Sequence, residues 1–190
     1  MKQKLFRLFE EKIIRHFRES HSTLHELSLG SLVGFFWALT PLIGIQMTLA
    51  TITWGFMRLL GFRFNLPVAL AVVWLSNPIT MPILYYSFYL CGYHLFSAMG
   101  IHSTPISFEI LSQTLNQAQA LSLSEGLLLW GKFLLLDLGW PMLIGSFLIG
   151  VPVSIVSYPI TWRMVKKHRI KVAERMNLTL REWEEKFVHK

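Results

Sequence analysis

Asn77 and Thr80 are the residues of this 190-residue chain best equipped to hold a ligand. They lie in Ser76-Asn77-Pro78-Ile79-Thr80-Met81-Pro82, inside a run from Phe64 to Phe108 that contains no Asp, Glu, Lys or Arg. A carboxamide and a hydroxyl each offer a donor and an acceptor. Pro78 and Pro82 remove two backbone donors and disfavour helix at Asn77 and Met81. Carbonyls freed in this way, beside an amide and a hydroxyl, can bind an ion, a head group or a phosphate. The same two side chains can instead cap the helix ends that the prolines create. A shorter break, Thr40-Pro41-Leu42-Ile43-Gly44, sets Thr40 beside Pro41 in the same way. Between the two breaks, Arg58 and Arg63 can grip a lipid phosphate bidentately, or simply snorkel and set topology.

Other reactive side chains lack the company that chemistry needs. His21, His25 and Glu26 make an HxxxHE spacing, with His16 one turn earlier, but a structural zinc site asks for four ligands, and no metal is expected. Asp137, with Lys132 five residues before it, reads as a salt bridge or a boundary rather than a proton relay. His94 and His102 read as interfacial. Cys91 is alone, which leaves no disulfide framework and no thiolate metal site. The apolar core holds no paired carboxylates, no Ser/His/Asp set in context and no phosphate-cradling glycine loop. Nucleophiles and bases need partners of tuned pKa, so no catalytic residue, no cofactor and no enzyme activity is expected.

The elements that must position these residues follow from composition. Charged residues make up 15% of the chain, against about 25% in a soluble domain, and mean hydropathy is +0.45. This predicts an all-α, polytopic integral membrane protein with discontinuous, re-entrant or proline-broken helices. Residues 1–26 read as a basic amphipathic helix on a membrane surface, with a start too charged for a cleavable leader. Residues 27–162 form the membrane domain and 163–190 a basic helical tail. The net charge of +7 is assigned to anionic lipid at both termini, not to nucleic acid, because the basic residues flank apolar runs.

Within the membrane domain, Leu27–Met57 is interrupted at the first break. Gly30, Ser31 and Gly34 before it allow close helix approach, and a helix carrying Gln46, Thr48, Thr51 and Thr53 follows. The second run repeats the plan: a half-length helix Leu66–Leu75, the Asn77 break shaped by Pro78 and Pro82, then a helix over Ile83–Met99. Trp37 and Trp74 precede the two breaks at matching positions, and paired broken helices point to a transporter-like site. A short surface helix is expected over Ile110–Leu121, helix over Leu127–Leu136, and a last apolar run over Leu138–Trp162. Six of the 18 Lys and Arg precede residue 27, nine follow Trp162, and the 100–126 segment has none. The positive-inside rule then places both ends and the 58–65 joint in the cytoplasm, with residues 27–57 entering and returning as a hairpin.

The motifs Gly34-x-Phe36, Pro41, Gly44, Asn65-Leu-Pro67, Ser76-Asn-Pro-Ile-Thr-Met-Pro82 and the Tyr85–Tyr86 pair resemble those of the bacterial DUF2062 family, over about residues 25 to 162. Gln46 falls where the resemblance implies His in many relatives, so no ionisable group is expected there. The resemblance implies the bacterial inner membrane. Since some relatives carry the domain joined to glycosyltransferases, it also implies work near envelope glycan or lipid carriers. The expected function is handling of a lipid or lipid-linked envelope precursor by a transporter- or flippase-like protein. The alternative is a non-catalytic membrane scaffold or anchor for a glycosyltransferase or other envelope-biogenesis enzyme.

Overall fold

The computed structural model describes residues 22–101 and 105–188, and among them all regular structure is helical. In chain order the helices are α1 (Leu24–Ala38), α2 (Gln46–Leu59), α3 (Leu66–Val73), α4 (Met81–Ala98), α5 (Phe108–Ala120), α6 (Leu123–Lys132), α7 (Gly139–Arg175) and α8 (Leu180–Phe187). A π-helical segment, Phe133–Leu138, joins α6 to α7. Residues 1–21, over which an amphipathic helix is expected and which include His16 and His21, lie outside the described residues, as do His102 and the Asp137 side chain.

Local chemistry sets the helix starts. Thr23 and Glu26 form a reciprocal capping box at α1, which satisfies two of its orphan amide donors. Asn65 Oδ1 accepts from Val68 N at 2.9 Å, with Pro67 in the first turn of α3, where a missing N–H costs nothing. Ser107 caps α5 and Thr179 caps α8.

α7 serves as a ruler for the rest. α1 runs antiparallel along its second half: Leu39 lies against Gly150, Thr161 Oγ1 donates to Ser31 Oγ at 2.9 Å, and Arg169 donates to the Ser22 carbonyl at 2.6 Å. α4 runs antiparallel along its first half. There Gly92 meets the Pro141 backbone and Gly145 meets the Phe88 carbonyl, crossings too close for any Cβ. α1 and α4 therefore follow one another along α7, and the end of α1 and the start of α4 fall near the level of Gly150.

α2 returns beside α1, with Trp37 Nε1 donating to Thr53 Oγ1 at 3.0 Å. The chain then turns at the joint, where Asn65 donates to Glu26 O and, through Nδ2, to Ser22 Oγ, each at 2.9 Å. α3 sets off again parallel to α1, with Gly30 and Gly34 packed on Asn65, Val68, Ala69 and Val72. So α1–α2 is a hairpin that goes halfway and returns, while α3 and α4 together run the full length. Arg58, Arg63 and the basic residues of α7 from Arg163 onward share one end.

α5 descends beside α4. Ile106 N donates to the Tyr89 hydroxyl at 3.0 Å, Phe108 packs edge-on to Tyr86, and Gln119 reaches Met81. α6 then turns back on α5 at Gly126 and Ala118. The helix expected over 110–121 is α5, with one face exposed and the other packed: Leu111 and Leu115 are fully buried. Their four-residue spacing, continued by Ala118, gives an otherwise polar segment one apolar stripe. α6 begins at Leu123, four residues before the expected start. α7 passes Pro152, Pro159 and Trp162 without interruption, so the last apolar run and the start of the basic tail are one helix.

Candidate functional site

The tips of two hairpins that come from opposite ends, α1–α2 and α5–α6, meet at the first break. Gly44, at a φ of 76° that favours glycine, touches Leu123. Trp130 Nε1 donates to the Pro41 carbonyl at 2.8 Å. Beside this contact Gln46 Nε2 donates to the Thr40 carbonyl at 2.7 Å and lies 3.3 Å from the Tyr85 hydroxyl. Tyr85 in turn donates to the same Thr40 carbonyl at 3.4 Å. The tyrosine ring is tilted against Trp130, with centroids 5.5 Å apart. Ser76, from the second break, lies toward Tyr85 with its hydroxyl buried and completes no hydrogen bond. The two breaks are thus joined through Gln46 and Tyr85, which are 3% and 0% exposed. Those side chains fill the space between them.

Each expected site residue has a definite place. Asn77 Oδ1 accepts from Ile79 N at 2.9 Å and Thr80 N at 3.1 Å. Thr80 Oγ1 accepts from Asn77 N at 3.0 Å and donates to the Leu75 carbonyl at 2.6 Å. The pair braces the turn between α3 and α4, and the Asn77 oxygen is committed locally. Thr40 Oγ1 donates to the Trp37 carbonyl at 2.7 Å; it is the Thr40 carbonyl that faces the centre. Pro41 is buried with its carbonyl used by Trp130, Pro78 is exposed at the second turn, and Pro82 sits in the first turn of α4. Arg58 lies over the Trp54 ring at 5.2 Å, and Arg63 is exposed. Both are at the basic end, about 20 Å from the first break along the 14 residues of α2. The structure brings the two breaks together and separates both arginines from them.

The remaining candidates are accounted for one by one. His25 Nδ1 pairs with the Tyr158 hydroxyl at 2.8 Å, and Glu26 serves the α1 cap. His94 stands edge-on to Tyr93, Lys132 is exposed, and Cys91 is a half-buried free thiol. Among the described residues no three His, Cys, Asp or Glu gather as a metal site would require. Trp37 is tied to Thr53, whereas Trp74 is 66% exposed, so the matching tryptophans of the two breaks have different surroundings.

Sequence reasoning passed over Gln46, Ser76 and Trp130 as members of the centre. The available signal was position: Gln46 is the first residue of α2, directly after a break, in a run without charge. A polar side chain there has freed carbonyls within reach.

Among the described residues the regular structure is all helical, and one helix, Trp140–Arg175, is long and apolar enough to cross a membrane by itself. Its sequence matches the family described as uncharacterized protein conserved in bacteria, DUF2062, over residues 7–174, and the chain belongs to that family. The match reaches further in both directions than the motifs alone suggest. No curated protein and no solved structure matches the chain.

Proposed function

We propose that this is a multi-pass protein of the bacterial inner membrane that handles a lipid or a lipid-linked envelope precursor, in the manner of a transporter or flippase and without a catalytic step of its own. The observation that carries the reading is the meeting of two opposed hairpin tips at Pro41–Trp130 and Gly44–Leu123. Non-helical backbone at membrane depth is tolerated where protein or a wet cavity satisfies it, and broken helices meeting near the midplane are how many transporters present polar backbone to a substrate. In this reading the basic end is cytoplasmic. α1–α2 is re-entrant from inside, α3 and α4 cross outward, α5–α6 is re-entrant from outside, and α7 crosses back. Gln46, Tyr85 and Trp130 form the seal between the two tips. Arg58 and Arg63 meet lipid head groups at the cytoplasmic surface rather than substrate at the breaks.

Lipid and envelope-precursor profiling of a deletion strain tests this. The expected outcome is accumulation of one lipid or lipid-linked species, reversed by the wild-type gene. An unchanged profile refutes it.

One observation favours a second reading, a non-catalytic scaffold or anchor for a glycosyltransferase or similar envelope enzyme. The junction of the breaks is filled by Tyr85 and Gln46, while α5 presents the exposed amides Gln113, Asn116 and Gln117. In that case the profile stays normal, and an envelope enzyme co-purifies and is lost when these amides are replaced.

A further inference from the structure

Between α1 and α7 runs a groove of about 440 Å³, walled by Phe35, Val153, Val156, Ile160 and Met164. The polar atoms along it are already engaged: Ser157 Oγ donates to the Ser154 carbonyl at 2.7 Å and Thr161 Oγ1 to Ser31 at 2.9 Å. What the groove offers a ligand is therefore hydrocarbon. From Pro152 to Met164 it follows α7 for about 18 Å, close to the ~15 Å depth of one leaflet, half of a ~30 Å hydrocarbon core. Its inner end lies near Gly150, which packs on Leu39 beside the first break.

Its outer end continues into charge. Positions 153, 160, 164, 167 and 171 recur at three-, four- and seven-residue intervals and share one helix face. That face is apolar through Met164 and then presents Lys167 and Lys171. Arg163 and Lys166 flank them, and Glu174 is the acidic residue on the same stretch. An apolar slot one leaflet long, opening onto several cations and a single carboxylate, matches an acyl chain joined to an anionic head group.

We infer that this groove holds one chain of an anionic phospholipid of the cytoplasmic leaflet, with its phosphate between Lys167 and Lys171 and its tail end at the first break. The inference rests on the membrane reading above and names the substrate class that reaches the breaks. Lysine acts here as a point charge, so the site selects negative charge rather than one head-group geometry.

Native mass spectrometry of the full-length protein in detergent, titrated with phosphatidylglycerol, reads occupancy directly. The wild type should retain one phosphatidylglycerol in preference to phosphatidylcholine, and inorganic phosphate should not displace it. Lys167→Gln with Lys171→Gln should weaken retention about 30-fold. Val156→Trp, at an exposed position that tolerates bulk, should fill the slot and abolish retention while leaving the melting temperature unchanged. Equal retention of phosphatidylcholine, displacement by phosphate, or unchanged retention in either variant overturns the site. So does a dimer that Val156→Trp dissociates, which would assign the groove to a second copy of the chain. Occupancy requires no transport, so loss of this site with an intact deletion phenotype refutes the groove alone. Occupancy with a normal lipid profile refutes the transport reading alone.

Discussion

The indole N–H of Trp130 donates to the carbonyl of Pro41, 89 residues earlier in the chain, at 2.8 Å. That bond pins the tip of one hairpin to the other in a fully packed setting. Trp130→Phe keeps most of the ring and leaves a buried carbonyl unpaired, at a cost of about 1–3 kcal/mol. Trp130→Ala adds a cavity and should cost about 3–5 kcal/mol. Melting temperatures of the purified protein in detergent should fall in that order. A Phe variant as stable as wild type would mean that the carbonyl finds another donor.

Asn77→Ala removes the acceptor for two backbone amides of the second turn, and a capping loss of this kind costs about 0.5–2 kcal/mol. Because its oxygen is committed locally, membrane abundance should drop while complementation per molecule is retained. Asn77→Asp, which keeps the acceptor, should restore abundance. Loss of complementation at normal abundance would return Asn77 to the role of a binding residue.

Two glycines should respond in opposite directions to the same change. At Gly145 a methyl group would meet the Phe88 carbonyl, whereas at Gly55 it meets open space. Gly145→Ala should force α4 and α7 apart and lower the melting temperature. Gly55→Ala should raise helix stability by about 0.8–1 kcal/mol. Similar shifts for both would contradict the close crossing of α4 on α7.

The breaks, the half-length α3 and the returning hairpin were legible in the sequence because prolines and missing charge act locally. Thr40–Gly44 and Ser76–Pro82 interrupt helix wherever they stand in the fold, and Gly30 with Gly34 signals a close neighbour without naming it. The centre was not legible in the same way. Gln46, Tyr85 and Trp130 come together through contacts 39 to 89 residues apart; the place of Gln46 after the first break is the one local signal, and nothing in the immediate sequence of Tyr85 or Trp130 distinguishes them from packing residues. Arg58 and Arg63 lie between the two breaks in sequence, but the straight helix α2 carries them about 20 Å from the first break, a separation that sequence distance alone does not show.

Acid should loosen α8. Backbone and hydroxyl hydrogen bonds from Thr179 hold the Glu182 carboxyl below its usual pKa. A carboxyl with a depressed folded pKa stabilises the fold above its unfolded value, and the contribution is lost as pH falls through the folded one. Hydrogen exchange over residues 178–188 should therefore rise as pH falls below the ordinary carboxylate range, after correction for intrinsic rates. Glu182→Gln, which can still cap but cannot titrate, should flatten that dependence. An unchanged pH profile in the variant would place the sensitive group elsewhere.

Impermeant thiol labelling checks the arrangement in the membrane. In a Cys91→Ala background, Arg63→Cys should label only from the cytoplasmic side and Glu109→Cys only from the other. Labelling of both from one side would remove the two-crossing path on which the transport reading depends.

The length of α7 has a mechanical consequence. Its 37 residues make a rod of about 55 Å, whereas a bilayer's hydrocarbon takes up about 30 Å. Seated with Trp162 at the cytoplasmic boundary, the rod stands clear of the lipid like a mast. α8 is lashed to it through Trp183 against Ala173 and through the Arg169–Glu184 ion pair at 3.2 Å. On α7, Arg169 falls between Lys167 and Lys171 but on the opposite face, buried against α8. Head-group charge held by the two lysines would therefore act at the level where α8 is lashed on, and a change in head-group composition would be felt at that joint as well as in the groove.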